Sequence, residues 1–68
     1  KEDYEAFASN LVNYCKQNKG ACEFKYEQED SDEVYYLESA NEIVFVSSDG
    51  YIRTYCRPDE GRAYFDRQ

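Results

Sequence analysis

The sequence contains no histidine, no methionine and no tryptophan, and only one proline. Without histidine the chain lacks the commonest general base and metal ligand, which excludes a histidine-dependent catalytic triad and the HExxH type of zinc site. No stretch approaches the roughly 18 consecutive apolar residues that a membrane-spanning helix requires, so we expect no membrane insertion. The 68 residues predict a single domain, residues 1–68, because a chain this short builds only one hydrophobic core.

Cysteine is also sparse, with Cys15, Cys22 and Cys56 forming an odd set. Such a set allows one disulfide with a remaining thiol, or three free thiols. A structural zinc site needs four nitrogen or sulfur ligands, so we predict no metal site and no cofactor. The sequence starts at Lys1 without an apolar signal segment, which predicts a processed product or an excised domain. We expect it to be secreted or delivered into a target cell, with a cytoplasmic location as the alternative.

Aromatic residues are abundant, since 8 tyrosines and 4 phenylalanines supply most of the material for a core. In the first 18 residues the apolar side chains recur at steps of three and four, which is the spacing of one helix face. We therefore predict a helix from Asp3 to about Asn18. Alternating or continuous apolar segments then predict strands at 22–27, 34–38, 42–47 and 51–57, and residues 63–65 are a candidate fifth strand. The fold class is α+β, with one N-terminal helix packed on an antiparallel sheet of four to five strands.

The strongest turn signal is Asp49-Gly50, which favours a two-residue type I′ hairpin. That turn places Ser48 opposite Tyr51 and Phe45 opposite Thr54. One face of the hairpin then carries the apolar and small residues Ile43, Phe45, Ile52, Thr54 and Cys56. We expect this face to receive the helix.

The opposite face of the same hairpin alternates tyrosine and arginine, at Tyr51, Arg53, Tyr55 and Arg57, with Arg62 and Tyr64 following nearby. Arginine binds phosphate and stacks on aromatic rings, and tyrosine offers a ring surface to a base, so the pattern suits single-stranded RNA. Tyrosine and arginine are also ordinary residues on the solvated face of an antiparallel sheet. Both interpretations stay open at this stage.

Negative charge is concentrated in the first part of the chain. Residues 1–42 hold eleven of the fifteen acidic residues and all four lysines, whereas 43–68 hold four acidic residues and four arginines. The acids are densest at Glu27, Glu29, Asp30, Asp32 and Glu33. Like charges this close favour a solvated loop. The same run is also a candidate surface for docking a basic partner.

Residues 42–68 resemble the closing stretch of the C-terminal toxin domains of bacterial polymorphic and contact-dependent inhibition toxins. The resemblance lies in Asp49-Gly50, Ile52-Arg53-Thr54-Tyr55, Arg57-Pro58, Gly61, Tyr64-Phe65 and the final Gln68. Many of these domains have a helix-plus-antiparallel-sheet ribonuclease fold of the barnase, colicin and RelE type. The resemblance implies a metal-independent ribonuclease with RNA as substrate and a cognate immunity protein as partner.

By that resemblance the candidate catalytic residues are Arg53, Thr54, Arg57 and Tyr64, and the candidate substrate-binding residues are Tyr51, Tyr55 and Arg62. Cleavage through the 2′-hydroxyl needs a cation for the developing phosphorane charge and groups that move two protons. Arg53 or Arg57 would supply the cation, and Tyr64 would move a proton. Thr54 would bind a phosphate oxygen or pack.

The alternative hypothesis is a non-enzymatic acidic binding module, such as an immunity protein, an inhibitor or a secreted effector. It rests on the net charge of −7 and on the tyrosine content, since tyrosine is enriched at protein interfaces. The run from Glu27 to Glu33 would then bind the protein partner. An acidic nuclease, by contrast, would capture RNA slowly unless a carrier protein supplied a positive field.

Overall fold

The computed structural model describes the backbone of residues 2–68 and the side chains of residues 4–68. Helix α1 spans Glu2–Gln17 and is followed by a short 3₁₀ turn at Lys19–Ala21. Four strands follow, β1 at Glu23–Tyr26, β2 at Glu33–Leu37, β3 at Glu42–Val46 and β4 at Ile52–Cys56, and helix α2 spans Arg62–Asp66. The predicted α+β class and the N-terminal helix on an antiparallel sheet are confirmed. No helix within residues 2–68 has the length and apolar character needed to cross a bilayer.

The sheet is an antiparallel meander in which the strands lie in their chain order, β1-β2-β3-β4. The two central strands, β2 and β3, bury both faces, and Val34, Tyr36, Ile43 and Val44 are almost completely inaccessible. Strands with both faces covered carry near-continuous apolar residues, as the sequence of β3 predicted. Two packed layers are therefore needed, one on each side of the sheet.

Helix α1 covers one face of the sheet. Its Ala8, Leu11 and Cys15 form a buried cluster with Tyr35 and Val44. The helix was expected on the face of Ile43 and Phe45, and that expectation was wrong. The opposite face is instead covered by α2.

Helix α2 contains residues 63–65, so the candidate fifth strand at these positions was wrong. Phe65 is buried against Val34, Tyr36, Ile43 and Phe45, and its ring stacks on that of Tyr36 with centroids 5.6 Å apart. The segment 63–65 is too short for periodicity to separate helix from strand. The need to cover the second face decides its conformation.

The β3–β4 turn contains three residues, Ser48 to Gly50, and not two. The amide of Ser47 donates to the carbonyl of Tyr51 at 2.8 Å, and the amide of Gly50 donates to the carbonyl of Ser47 at 2.9 Å. Gly50 has a φ of 94°, whereas the φ of Asp49 is not positive. A type I′ turn requires positive φ at both central positions, so it does not form here.

A bulge restores the predicted pairing further along the hairpin. Val46 pairs with Ile52 and Phe45 pairs with Thr54, so Arg53 is the extra residue in β4. The Phe45–Thr54 pair is confirmed, and the Ser48–Tyr51 pair is replaced by Ser47 and Tyr51. Because a bulge changes which side the next residues face, Ile52 packs with the α1 layer while Cys56 packs with the α2 layer.

Candidate functional site

The β1–β2 connection, residues 27–32, is an ordered loop that carries most of the acidic run. Glu27 donates its amide to the carbonyl of Asp32 at 2.8 Å and accepts at its own carbonyl from the amide of Ser31 at 2.9 Å. Its carboxylate also accepts from the amide of Asp30 at 2.7 Å. Ser31 adopts φ of 60°. The loop is therefore held by its own hydrogen bonds and displays Glu29 and Asp30 to solvent.

Asp32 differs from the other acids of the run because it is buried, with 4% of its surface exposed. Its Oδ2 lies 3.1 Å from Nε of Arg53. Its Oδ1 is buried and has no hydrogen-bond partner within the described part of the chain. The sequence analysis grouped Asp32 with the docking acids, but its side chain lies inside the molecule and joins the loop to β4.

The meander places the β1–β2 loop and the β3–β4 turn at the same end of the sheet, because both follow strands that run in the same direction. We call this the acidic end and define it by the carboxylates of Glu27, Glu29, Asp30, Glu33 and Asp49. Within residues 4–68 none of these five carboxylates lies within 4.0 Å of the charged nitrogen of a basic side chain. The ion pairs of this part of the chain are formed by other acidic residues. Asp49, which the sequence analysis treated only as a turn residue, joins the surface because of this topology.

Glu33 links the acidic end to the core. Its Oε1 accepts a hydrogen bond from the hydroxyl of Tyr35 at 3.0 Å. Burial of Tyr35, together with that hydrogen bond and the negative charge of Glu33, raises the pKa of Tyr35 to about 12. The phenol therefore stays protonated and holds the Glu33 carboxylate in place.

Carboxylate oxygens of Glu27, Asp30 and Asp32 lie within 4.8 Å of one another, so this loop is where the described chain could offer oxygen ligands to a cation. Calcium and magnesium take such ligands. Acidic groups of this kind are common without a metal ion, and the guanidinium of Arg53 already offsets the charge of Asp32. We therefore assign no cation to the loop.

The tyrosine and arginine residues of β4 do not form one continuous solvated face. Tyr51 lies before the strand and is 71% exposed. Arg53 occupies the bulge, and the ring of Tyr55 packs with the α1 layer. The amide of Tyr55 donates to the hydroxyl of Tyr4 at 2.8 Å. The bulge separates Tyr51 from the rest of the predicted strip, whereas Tyr55 and Arg57 both line a pocket of about 290 Å³ between α1 and the sheet.

The four arginines are all engaged with carboxylates. Arg57 lies 3.3 Å from Glu42, and Arg67 pairs with Glu60. Arg62, the first residue of α2, lies 3.2 Å from both Glu23 and Glu38 and 3.7 Å from Asp66. The hydrogen bond and charge of Glu23 raise the pKa of the Arg62 guanidinium.

Of the four candidate catalytic residues, the structure brings Arg57 and Tyr64 together. They line an open cleft of about 450 Å³ between the end of β4 and α2, which we call the C-terminal cleft. Its other lining residues are Cys56, Pro58, Asp59, Glu60 and Arg67. Arg53 and Thr54 lie outside this cleft. The sequence analysis did not single out Arg67 or Glu60, because they approach the strand only through the fold of α2.

Cys56 is the free thiol of the cleft, since Cys15 and Cys22 form a disulfide with a Cα–Cα distance of 5.5 Å. Burial, with a smaller contribution from the charge of Asp59, raises the pKa of the Cys56 thiol. A raised thiol pKa lowers the thiolate fraction at neutral pH. Cys56 therefore lacks the activation that a nucleophilic cysteine needs.

Comparison of the chain with models of protein families, with curated proteins and with solved structures finds no match.

Proposed function

We propose that this domain is a non-enzymatic acidic binding module whose acidic end occupies the basic surface of a protein partner. The observation that carries the proposal is the presence at one end of the sheet of five carboxylates that form no ion pair within residues 4–68. An immunity protein, an inhibitor or a secreted effector of this kind would act by occupying its partner. The partner would present clustered lysine and arginine side chains, as nucleic-acid-binding proteins do.

Electrostatics and rigidity both support this role. A chain with a net charge of −7 produces a negative field that accelerates encounter with a basic surface. The hydrogen bonds of Glu27 hold the loop in one conformation, so little conformational entropy is lost when the loop binds. The four arginines carry carboxylate partners already and add little positive field for a phosphate.

The experiment compares two double variants that remove equal charge. Glu29→Gln with Asp49→Asn neutralises two acids of the acidic end, and Glu5→Gln with Asp59→Asn neutralises two exposed acids elsewhere. A partner captured from cells by the wild-type domain is identified and purified, and its Kd for each variant is measured at 50 and 300 mM salt. We expect the acidic-end variant to bind at least tenfold more weakly and to lose most of the salt dependence. Equal weakening of the two variants would contradict the proposal.

A second candidate function, a toxin-type metal-independent ribonuclease, is favoured by one observation, the meeting of Arg57 and Tyr64 in the C-terminal cleft. In this hypothesis Arg57 stabilises charge on the phosphorane while Tyr64 moves a proton. Purified domain is incubated with total RNA in the presence of EDTA. Cleavage that is lost in Arg57→Ala and slowed in Tyr64→Phe, but kept in Lys19→Ala outside the cleft, would favour the ribonuclease over the binding module.

A further inference from the structure

A pocket of about 360 Å³ lies on the α1 side of the sheet. It shares no lining residue with the C-terminal cleft. The end of α1, the 3₁₀ turn and the first two strands meet there. We call it the lysine pocket, and its lining residues are Cys15, Lys16, Lys19, Cys22, Phe24 and Tyr35.

The walls of the lysine pocket are apolar and fixed. The disulfide between Cys15 and Cys22 joins the helix to the start of β1. The rings of Phe24 and Tyr35 lie with centroids 5.1 Å apart and planes inclined at 51°. Phe24 remains 46% exposed although its neighbours form a concave surface. A flat apolar group could therefore cover this ring without displacing any side chain.

The charge at the pocket is opposite to that of the rest of the protein. Among the basic side chains of residues 4–68, Lys16 and Lys19 are the two without an ion pair or hydrogen bond to another residue. The four arginines all pair with carboxylates, and Lys25 donates to the carbonyls of Phe65 and Asp66. Lys16 and Lys19 both line this pocket, and no acidic residue lines it. Lys16 also borders a neighbouring pocket that Glu33 lines.

We infer that the lysine pocket binds a small aromatic carboxylate. The ring of the ligand would lie against Phe24, Tyr35 and the disulfide, and its carboxylate would contact the ammonium groups of Lys16 and Lys19. The volume falls within the range of roughly 300–1,000 Å³ that small-molecule pockets occupy. Aromatic rings attract one another in offset or edge-to-face geometry, which the inclined pair of Phe24 and Tyr35 offers to a third ring. This inference goes beyond the proposed function, because the pocket contains none of the five acids of the acidic end, although Tyr35 donates a hydrogen bond to Glu33.

The test uses two probes with the same ring and nearly the same size, the anion 2-naphthoate and its neutral amide, 2-naphthamide. Each is titrated into the intact, oxidised, ¹⁵N-labelled domain, and amide chemical shifts give both the location and the Kd. We expect saturable shifts at Lys16, Lys19, Cys22 and Phe24 with naphthoate, and several-fold weaker binding of naphthamide. Since ion pairs at exposed sites contribute up to about 1 kcal/mol, Lys16→Gln or Lys19→Gln should each weaken naphthoate binding roughly two- to five-fold.

Lys25→Gln is the matched control, because Lys25 is adjacent to Phe24 in the chain but its ammonium group lies over the ring of Phe65 in the other layer. It removes the same charge and should leave naphthoate affinity unchanged. Equal affinity of wild-type protein for the two probes would overturn the inference, and this comparison does not depend on the folding of any variant. Shifts confined to other residues, or no saturation at millimolar probe, would also overturn it.

Discussion

The guanidinium Nε of Arg53 lies 3.1 Å from Oδ2 of Asp32, although β4 and β2 are not neighbouring strands in the sheet. Arg53 is the bulged residue of β4, and Asp32 immediately precedes β2. The bulge therefore lets Arg53 reach past the end of β3 and pair with a buried carboxylate. This contact joins the two turns of the acidic end.

Removal of Arg53 should destabilise the fold. Arg53→Ala leaves the carboxylate of Asp32 buried without its partner, which costs about 1–3 kcal/mol. Arg57→Ala is the control, because its partner Glu42 is less buried than Asp32, and it should cost less than about 1 kcal/mol. Urea denaturation gives both values. Equal free energies of unfolding for the two variants would show that the ion pair between Arg53 and Asp32 contributes no special stability to the fold. A loss of function in Arg53→Ala alone would therefore not identify a catalytic arginine.

Gly50 should be more sensitive than Gly20 to substitution by alanine. Its φ of 94° is unfavourable for residues with a side chain, although a Cβ there would meet no atom within 4 Å. The cost of Gly50→Ala is thus backbone strain of roughly 1–2 kcal/mol, and Gly50→Val should cost more because β-branched residues resist positive φ. Gly20 also has open space but no positive φ, so Gly20→Ala should change stability by less than about 0.5 kcal/mol. Thermal melts of all three variants check this order.

The disulfide should stabilise the domain in spite of the short loop it closes. Cys15 and Cys22 are separated by 7 positions, and the chain-entropy relation gives about 2–3 kcal/mol for a loop of that length. Denaturation with and without reductant measures the difference. Iodoacetamide should label one thiol, Cys56, before reduction and three after unfolding and reduction. Cys56→Ser should show the same difference in stability between its oxidised and reduced forms. Loss of that difference in Cys56→Ser would indicate that Cys56 takes part in the disulfide.

Alkaline pH should unfold the protein through its tyrosines. The pKa of Tyr35 is raised to about 12, and burial also raises the pKa of Tyr36 and Tyr55. An unfolded tyrosine titrates near roughly 10. Between those values the unfolded chain releases protons that the folded chain keeps, so the free energy of unfolding falls as pH rises from about 10 to about 12. Below that window these groups add no pH dependence.

Tyrosinate absorbance and denaturation at pH 8, 10 and 11 measure this effect. Glu33→Gln should lower the pKa of Tyr35, since it removes the negative charge and the ionised acceptor beside the phenol. Co-titration of all eight tyrosines near pH 10 in the folded protein would contradict the prediction.

The elements that the sequence predicted correctly are those whose signals are local. Spacing of apolar residues over sixteen positions specifies α1, and alternating or continuous apolar segments specify the four strands, because side-chain direction follows from backbone geometry and burial. The turn at Asp49-Gly50 was also located correctly, because its signal is local as well, although the predicted length of two residues was wrong. The run of acids around Glu29 was correctly placed in a loop, since like charges this close stay in water.

Other features depended on contacts between distant segments. Residues 63–65 became helical because Tyr36 and Ile43 left a second sheet face to cover, and no local pattern records that need. A bulge at Arg53 moved Ile52 to the other layer and separated Tyr51 from Tyr55 and Arg57, since one added residue reverses the alternation. Local sequence determined which residues form helix or strand and where the charge is dense. Only the tertiary structure decided that Asp32 is buried and that Arg57 meets Tyr64, because burial and proximity arise from the packing of layers.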